Sequence, residues 1–258
     1  MKSLLAAIMM FTRLPLWRIV QVNKKDYTGI LLYWPVVGFL TGLTTWGVLC
    51  LTAFYMPTLV ACILAVIARI LLTGALHEDG LADFCDGFGG GHDKKSILRI
   101  MKDSHIGGYG VMGLILYFLL YVALLYELRQ PHGCLYIREY VPLATILGAD
   151  VCAKLCTAAM INTLPYARTE EESKVKVLYR KIRFYEYLLV AFPCLAILRV
   201  LDTPLLPLIP TLLSVTFLGG YLKRKIGGYT GDCCGATVLI AEIVFYLSTL
   251  ILIQNPIA

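Results

Sequence analysis

The sequence predicts an all-α, polytopic integral membrane protein, a helical bundle of about seven transmembrane helices, and three observations carry that expectation. Of 258 residues, 59% are hydrophobic and only 16% are charged, against roughly 25% charged in a soluble domain. The stretch from Tyr27 to Ala68 runs 42 residues without a charge, too long for one helical span of about 20 residues and close to two. The basic residues, finally, are confined to alternate loops. A chain of this size cannot hide so much apolar surface and still present a charged coat, which excludes an ordinary soluble globule, a disordered chain and a free nucleic-acid binder. The net charge of +6 then reports orientation in a bilayer.

Taken in order, Leu4 to Phe11 is an apolar run behind Lys2, followed by Arg13 and Pro15 with no small-residue cleavage site. That reads as an interfacial N-terminal segment, residues 1–25, rather than a secretory signal. The long uncharged stretch divides into spans 28–50 and 57–76, turning at Tyr55-Met56-Pro57. Further spans are expected over 106–126, over 141–163 with Asp150 and Lys154 inside it, and over 185–201. Residues 204–222 form another, whose Pro204, Pro207 and Pro210 predict a kinked or unwound first turn. The last, 234–254, carries Glu242. There is no internal repeat, so one membrane-embedded domain is expected over 1–258. The nine cysteines are odd in number and form no C-x-x-C pair. Most lie in apolar runs, as small buried thiols do.

Lys and Arg concentrate in the N-terminal segment and in the loops 77–105, 164–184 and 223–233, eighteen in all, against Arg129, Arg138 and Arg199 in the opposite loops. Those four regions are therefore expected on the cytoplasmic side. The polar residues that solvation explains least fall in the same regions. In the run from His77 to Gly87, Asp79, Asp83 and Asp86 are spaced four and three apart, so a helix carries them on one stripe within roughly 60°. Three carboxylates on one stripe repel one another unless a cation lies between them. Hard oxygen donors suit Mg²⁺ or Mn²⁺ rather than zinc. His77 lies about 200° from Asp79 on an ideal helix and is a candidate general base or phosphate contact. A second group, Lys102 to Gly110, adds Asp103 and offers the amides near Gly107 and Gly108 to an anion ahead of a helix, while Gly89-Gly90-Gly91 before it reads as a flexible loop. A third, Lys223 to Asp232, combines three cations, three glycines and Asp232. Glu242 lies ten residues further on, at a depth where an ionisable group is paired or functional. Asp150 and Lys154, four apart, are expected to neutralise each other, and Arg69 to share their polar interior. Acids to hold a metal, with cations and glycines to hold phosphates, form a phosphoryl-transfer layout.

These groups resemble the cobalamin synthase family, the adenosylcobinamide-GDP ribazoletransferases. The resemblance rests on His-x-Asp-Gly-Leu-Ala-Asp-x-x-Asp-Gly at 77–87, on Ile-Met-Lys-Asp-Ser-x-Ile-Gly at 100–107 and on Gly-Gly-x-Thr-Gly-Asp-x-x-Gly-Ala at 227–236 followed by Glu242. Phe11-Thr12-Arg13-Leu14-Pro15 and Pro165-Tyr166-Ala167-Arg168 also look like that family. It implies an inner-membrane transferase in which a ribose hydroxyl of α-ribazole, or of its 5′-phosphate, attacks adenosylcobinamide-GDP and releases GMP, with Mg²⁺ as cofactor and the active site on the cytoplasmic face. Carried onto this chain, it implies Asp79, Asp83, Asp86 and Asp103 as metal ligands. His77, Asp79 and Asp83 become catalytic candidates. Arg13, His105, Gly107, Gly108, Thr230, Gly231 and Asp232 become substrate-binding candidates, with His105 standing where the family often has Arg. Homo-oligomers and association with other cobalamin-assembly enzymes are compatible with it. Two other readings of the same residues are a lipid phosphoalcohol transferase and an ion-coupled transporter using Asp150, Lys154 and Glu242. The first lacks its Asp-Gly-x-x-Ala-Arg start here. The second lacks two related halves.

Overall fold

The computed structural model describes residues 2–129, 140–168 and 179–254. Among these residues there are eleven α-helices: α1 (Lys2–Phe11), α2 (Lys24–Tyr27), α3 (Trp34–Ala53), α4 (Thr58–Thr73), α5 (Leu76–Gly90), α6 (Lys94–Ile100), α7 (Gly108–Leu128), α8 (Tyr140–Thr163), α9 (Phe184–Val200), α10 (Leu208–Ile226) and α11 (Gly231–Gln254). A 3-10 turn, Ile30–Tyr33, leads into α3. Four segments are long and apolar enough to cross a bilayer: Ile30–Ala53, Gly108–Leu128, Leu143–Thr163 and Gly231–Gln254. A fifth follows if α4 and α5, bent by 92°, count as one broken span. The expected count of seven is not reached on length and composition. α9 has 17 residues, and α10 ends in Lys223, Arg224 and Lys225.

α8 is at the centre and almost wholly buried, whereas α7 and the outer faces of α9 and α10 expose Leu116, Leu119, Phe192 and Phe217. That inversion, polar inside and apolar outside, is what a bilayer selects. The centre is held by a four-charge cluster. Arg69 on α4 donates to both carboxylate oxygens of Glu242 on α11, at 2.8 and 2.6 Å, and to the Tyr121 hydroxyl on α7 at 2.8 Å. Lys154 pairs with Asp150 on α8 and reaches Glu242 at 3.4 Å. Thr41 on α3 donates to Asp150 at 2.8 Å. The two cations and two anions are each no more than 1% exposed. Asp150 and Lys154 are thus paired as the four-residue spacing implies, and Arg69 and Glu242 complete a neutral set that ties five helices together.

Three local devices differ from the sequence expectation. The span expected over 57–76 stops at Gly74, where two consecutive left-handed residues, Gly74 (φ 68°) and Ala75 (φ 59°), end α4 and turn the chain into α5. The amides of both residues bond Ile70 O, at 2.7 and 3.2 Å, the pattern of a glycine-terminated helix end. A side chain at Gly74 would also strike the Arg13 guanidinium. The glycines at 89–90, expected in a flexible loop, form the last turn of α5, and the Tyr109 ring fills the space beside Gly89. α10 begins only at Leu208, with Pro207 at its cap, so the proline-rich start is unwound as expected. α11 begins at Gly231, three residues before the expected 234. At its start Thr230 accepts from Cys233 N at 3.3 Å.

Candidate active site

The four basic regions converge at one end of the bundle. Arg13 N bonds Leu72 O at 2.6 Å, Arg180 N bonds Thr28 O at 2.9 Å, and Ala167 N bonds Tyr229 O at 2.8 Å while Tyr229 N bonds Pro165 O at 3.0 Å. Arg168 reaches Leu98 O at 3.3 Å. At this end, α5 and α11 cross at two glycines. A Cβ on Gly80 would lie 2.9 Å from Asp232 O and 3.1 Å from Asp232 Cα, and one on Gly235 would lie 3.0 Å from His77 O. Helix backbones approach this closely only where side chains are absent. The crossing sets Asp79 beside Asp232, residues 153 positions apart in the chain (232 − 79). Gly235→Val is expected to lower the thermal stability of the detergent-solubilised protein by about 1–3 kcal/mol. Gly220→Ala, at a position where a Cβ meets nothing within 4 Å, is expected to leave it unchanged. Equal melting temperatures for the two variants would contradict the crossing.

Beneath the crossing is a cavity of about 220 Å³. Phe11, Trp34, Tyr166 and Tyr179 form much of its wall, and His77, Asp79, Arg168 and Asp232 supply the polar groups. Asp79 is exposed, as the acid of the first turn of α5, where the helix dipole favours a negative charge. Arg168 is buried, and its Nη2 lies 3.6 Å from Asp232 Oδ2. His77 is buried opposite Asp79 on α5, in a near-parallel group with the Phe11 and Trp34 rings, at centroid distances of 6.2 and 5.8 Å. The helix does not unwind to bring His77 onto the aspartate stripe. The two residues meet instead on the rim and wall of one cavity.

The remaining candidates divide. Asp86 accepts from Gly107 N at 2.7 Å and Gly110 N at 2.8 Å, and a Cβ at either glycine would collide with its carboxylate. Of the amides expected to await a phosphate, Gly107 N already has an anion, and it belongs to the protein. Asp86, expected as a metal ligand, is in this structure the group that docks α7 onto α5. Asp103 stands exposed in the α6–α7 loop, accepting from His105 N at 3.0 Å with the His105 ring 2.7 Å away. These bonds, the backbone N–H first, hold its carboxyl below the ordinary range. Among the described residues no three of His, Cys, Asp and Glu are gathered where they could hold a metal ion. Asp79 and Asp83, one helical turn apart, keep the donor set that suits an ion arriving on phosphates, since Mg²⁺ is commonly held by one or two carboxylates plus the substrate. Gly108 and Gly231 border open space. Thr230 is buried as the cap of α11, and Arg13 packs over Gly74 at the α4–α5 bend.

The sequence reading passed over Arg168, Phe11, Trp34, Tyr166 and Tyr179 as site residues. Phe11, Tyr166 and Arg168 lie within short stretches that carry the family resemblance, and that was the available signal. Nothing local distinguishes Trp34 or Tyr179.

The family model described as cobalamin-5-phosphate synthase matches residues 3–250. The chain belongs to the cobalamin-5-phosphate synthase family. A relative from Shewanella amazonensis named adenosylcobinamide-GDP ribazoletransferase is 40% identical over 257 residues, covering 96% of this chain and 94% of its own. One of the same name from Shewanella putrefaciens is 39% identical over 252 residues, covering 96% and 93%. No solved structure matches the chain. Within the cobalamin-5-phosphate synthase family, then, this chain places an aromatic cavity and three charged groups where α5 and α11 cross.

Proposed function

We propose that this family member is the transferase that joins adenosylcobinamide-GDP to α-ribazole, or to its 5′-phosphate, in a late step of cobalamin biosynthesis. The carrying observation is the single cavity that Asp79, Arg168 and Asp232 share. A ribose hydroxyl of the nucleoside attacks the phosphorus nearer the cobinamide. The bond from that phosphorus to the GMP oxygen breaks, GMP leaves, and a phosphodiester remains. Asp79, open and at the cavity rim, takes the hydroxyl proton, as a positioned carboxylate can. Arg168, oriented by Asp232, faces the phosphate charge. Asp79 and Asp83 are the residues that would hold Mg²⁺ (or Mn²⁺), which would supply charge neutralisation for the diphosphate. The site faces the cytoplasm across the inner membrane. The gathering of the basic regions around it supports this orientation.

The test is turnover in lipid vesicles with adenosylcobinamide-GDP, α-ribazole and Mg²⁺, following GMP release and the corrinoid product. Both products form in equal amounts, and a chelator stops their formation until Mg²⁺ is restored. Absence of GMP release with both substrates and the metal present would remove this reading.

A further inference from the structure

The cavity contains more than the reaction uses. His77 is 3% exposed and Trp34 is 1% exposed, and both line it. Neither ring nitrogen of His77 nor the indole nitrogen of Trp34 has a hydrogen-bond partner. A buried polar atom left without a partner costs about 1–3 kcal/mol, so orphaned nitrogens on residues that line one cavity point to a ligand that pairs with at least one of them. The surrounding wall is flat and apolar. Phe11 and Trp34 stack at 4.9 Å with an interplanar angle of 16°, and His77 lies within 14° of the Phe11 plane.

We infer that this cavity is the seat of the nucleoside's base, with His77 and Trp34 as its recognition groups. This assignment rests on the functional reading above. Three properties select the base over the rest of the reactants. The first is size: about 220 Å³ is below the ~300–1,000 Å³ of a cleft for a drug-sized ligand, so a bicyclic ring fits and a corrin macrocycle does not. The second is polarity. The benzimidazole of α-ribazole is an apolar bicycle with a single free ring-nitrogen acceptor, and a neutral imidazole or an indole supplies the single N–H it needs. Guanine carries three N–H hydrogens on its pairing edge, and among these unpartnered atoms only the second nitrogen of His77 can accept. The third is direction. With the base laid on the aromatic wall that includes Phe11, Trp34 and His77, the sugar extends toward Asp79, Arg168 and Asp232 at the rim, which sets the attacking hydroxyl at the carboxylate that takes its proton.

The test separates this seat from the transfer reaction. His77→Phe keeps a ring in the stack and removes both nitrogens. It is expected to raise KM for α-ribazole about tenfold, the worth of one neutral hydrogen bond, with KM for adenosylcobinamide-GDP unaltered. An indole riboside, in which a C–H replaces the ring nitrogen, is expected to lose the same factor on the unmodified enzyme and nothing further on His77→Phe. Quenching of tryptophan fluorescence by α-ribazole without the second substrate reads the seat even if turnover fails. Quenching without turnover would remove the transfer reaction and keep the seat. Turnover with an unaltered α-ribazole KM in His77→Phe, or a shift in the corrinoid substrate's KM instead, would overturn the seat. A fall in kcat alone would make His77 a proton carrier and overturn it too. If His77→Phe does not fold, Trp34→Phe with the same pair of ribosides applies the same criteria.

Discussion

Asp79→Asn is expected to lower GMP release by about a hundred- to ten-thousand-fold, the contribution of a positioned proton acceptor, while the protein inserts and melts as before. The substitution preserves volume at an exposed position, where stability changes usually stay within about 0.5 kcal/mol. Asp86→Asn separates two roles that the sequence alone gives to the same stripe. An amide presents one acceptor oxygen to two N–H groups, Gly107 and Gly110, that now have one each. That variant is expected to lose melting temperature, and to lose activity only as the folded fraction falls. The two variants are compared by specific activity per folded molecule, with folding followed by thermal melts in detergent. Near-normal turnover of Asp79→Asn would remove it from the reaction. A fully folded but inactive Asp86→Asn would return Asp86 to the metal.

The second large effect lies in the bundle centre. Glu242→Gln leaves Arg69 and Lys154 facing only Asp150, all of them within 1% of full burial. Removing one partner from a buried ion set costs about 3–5 kcal/mol, enough to deplete the folded protein in the membrane given total stabilities of about 5–15 kcal/mol. Adding Lys154→Met restores a one-to-one balance between Arg69 and Asp150, so the double variant is expected to be more stable than Glu242→Gln alone. A double variant that melts no higher than the single would show that charge balance is not what Glu242 provides. This arrangement also accounts for charges that an ion path would otherwise explain. They bond one another and Tyr121 and Thr41, and function as the tie between helices.

What the sequence discloses depends on how local each cause is. Uncharged runs mark the spans because bilayer thickness acts on every residue of a run. The stripe of Asp79, Asp83 and Asp86 is legible because helical spacing is a local rule, and α5 is indeed helical over all three. The partner of Asp86 is not legible. It lies 21 and 24 residues away, in backbone amides that carry no side-chain signature. The bend between α4 and α5 turns on one glycine and one alanine, and alanine gives no hint of a left-handed backbone. The unwound start of α10 is legible in its prolines, whereas the start of α11 at Gly231 lies three residues before the expected 234. The aromatic cavity was hidden among 16 tyrosines, 10 phenylalanines and 3 tryptophans, since an aromatic residue that packs and one that lines a cavity look alike in sequence. Arg168 was in view as part of a motif, and only the bridge between Tyr166 and Tyr229 explains how it arrives beside Asp232.

The glycine contact between α5 and α11 has a mechanical consequence. Helices in bilayers of different thickness adjust by tilting, and a tilt of α11 pivots where its backbone bears directly on α5, at Gly80 and Gly235. Asp79 and Asp232 lie within a few residues of that fulcrum, on its short arm, so the far end of α11 swings while the gap between the two acids stays nearly fixed. The enzyme can thus follow a changing lipid environment along most of its length and keep its reacting groups in register.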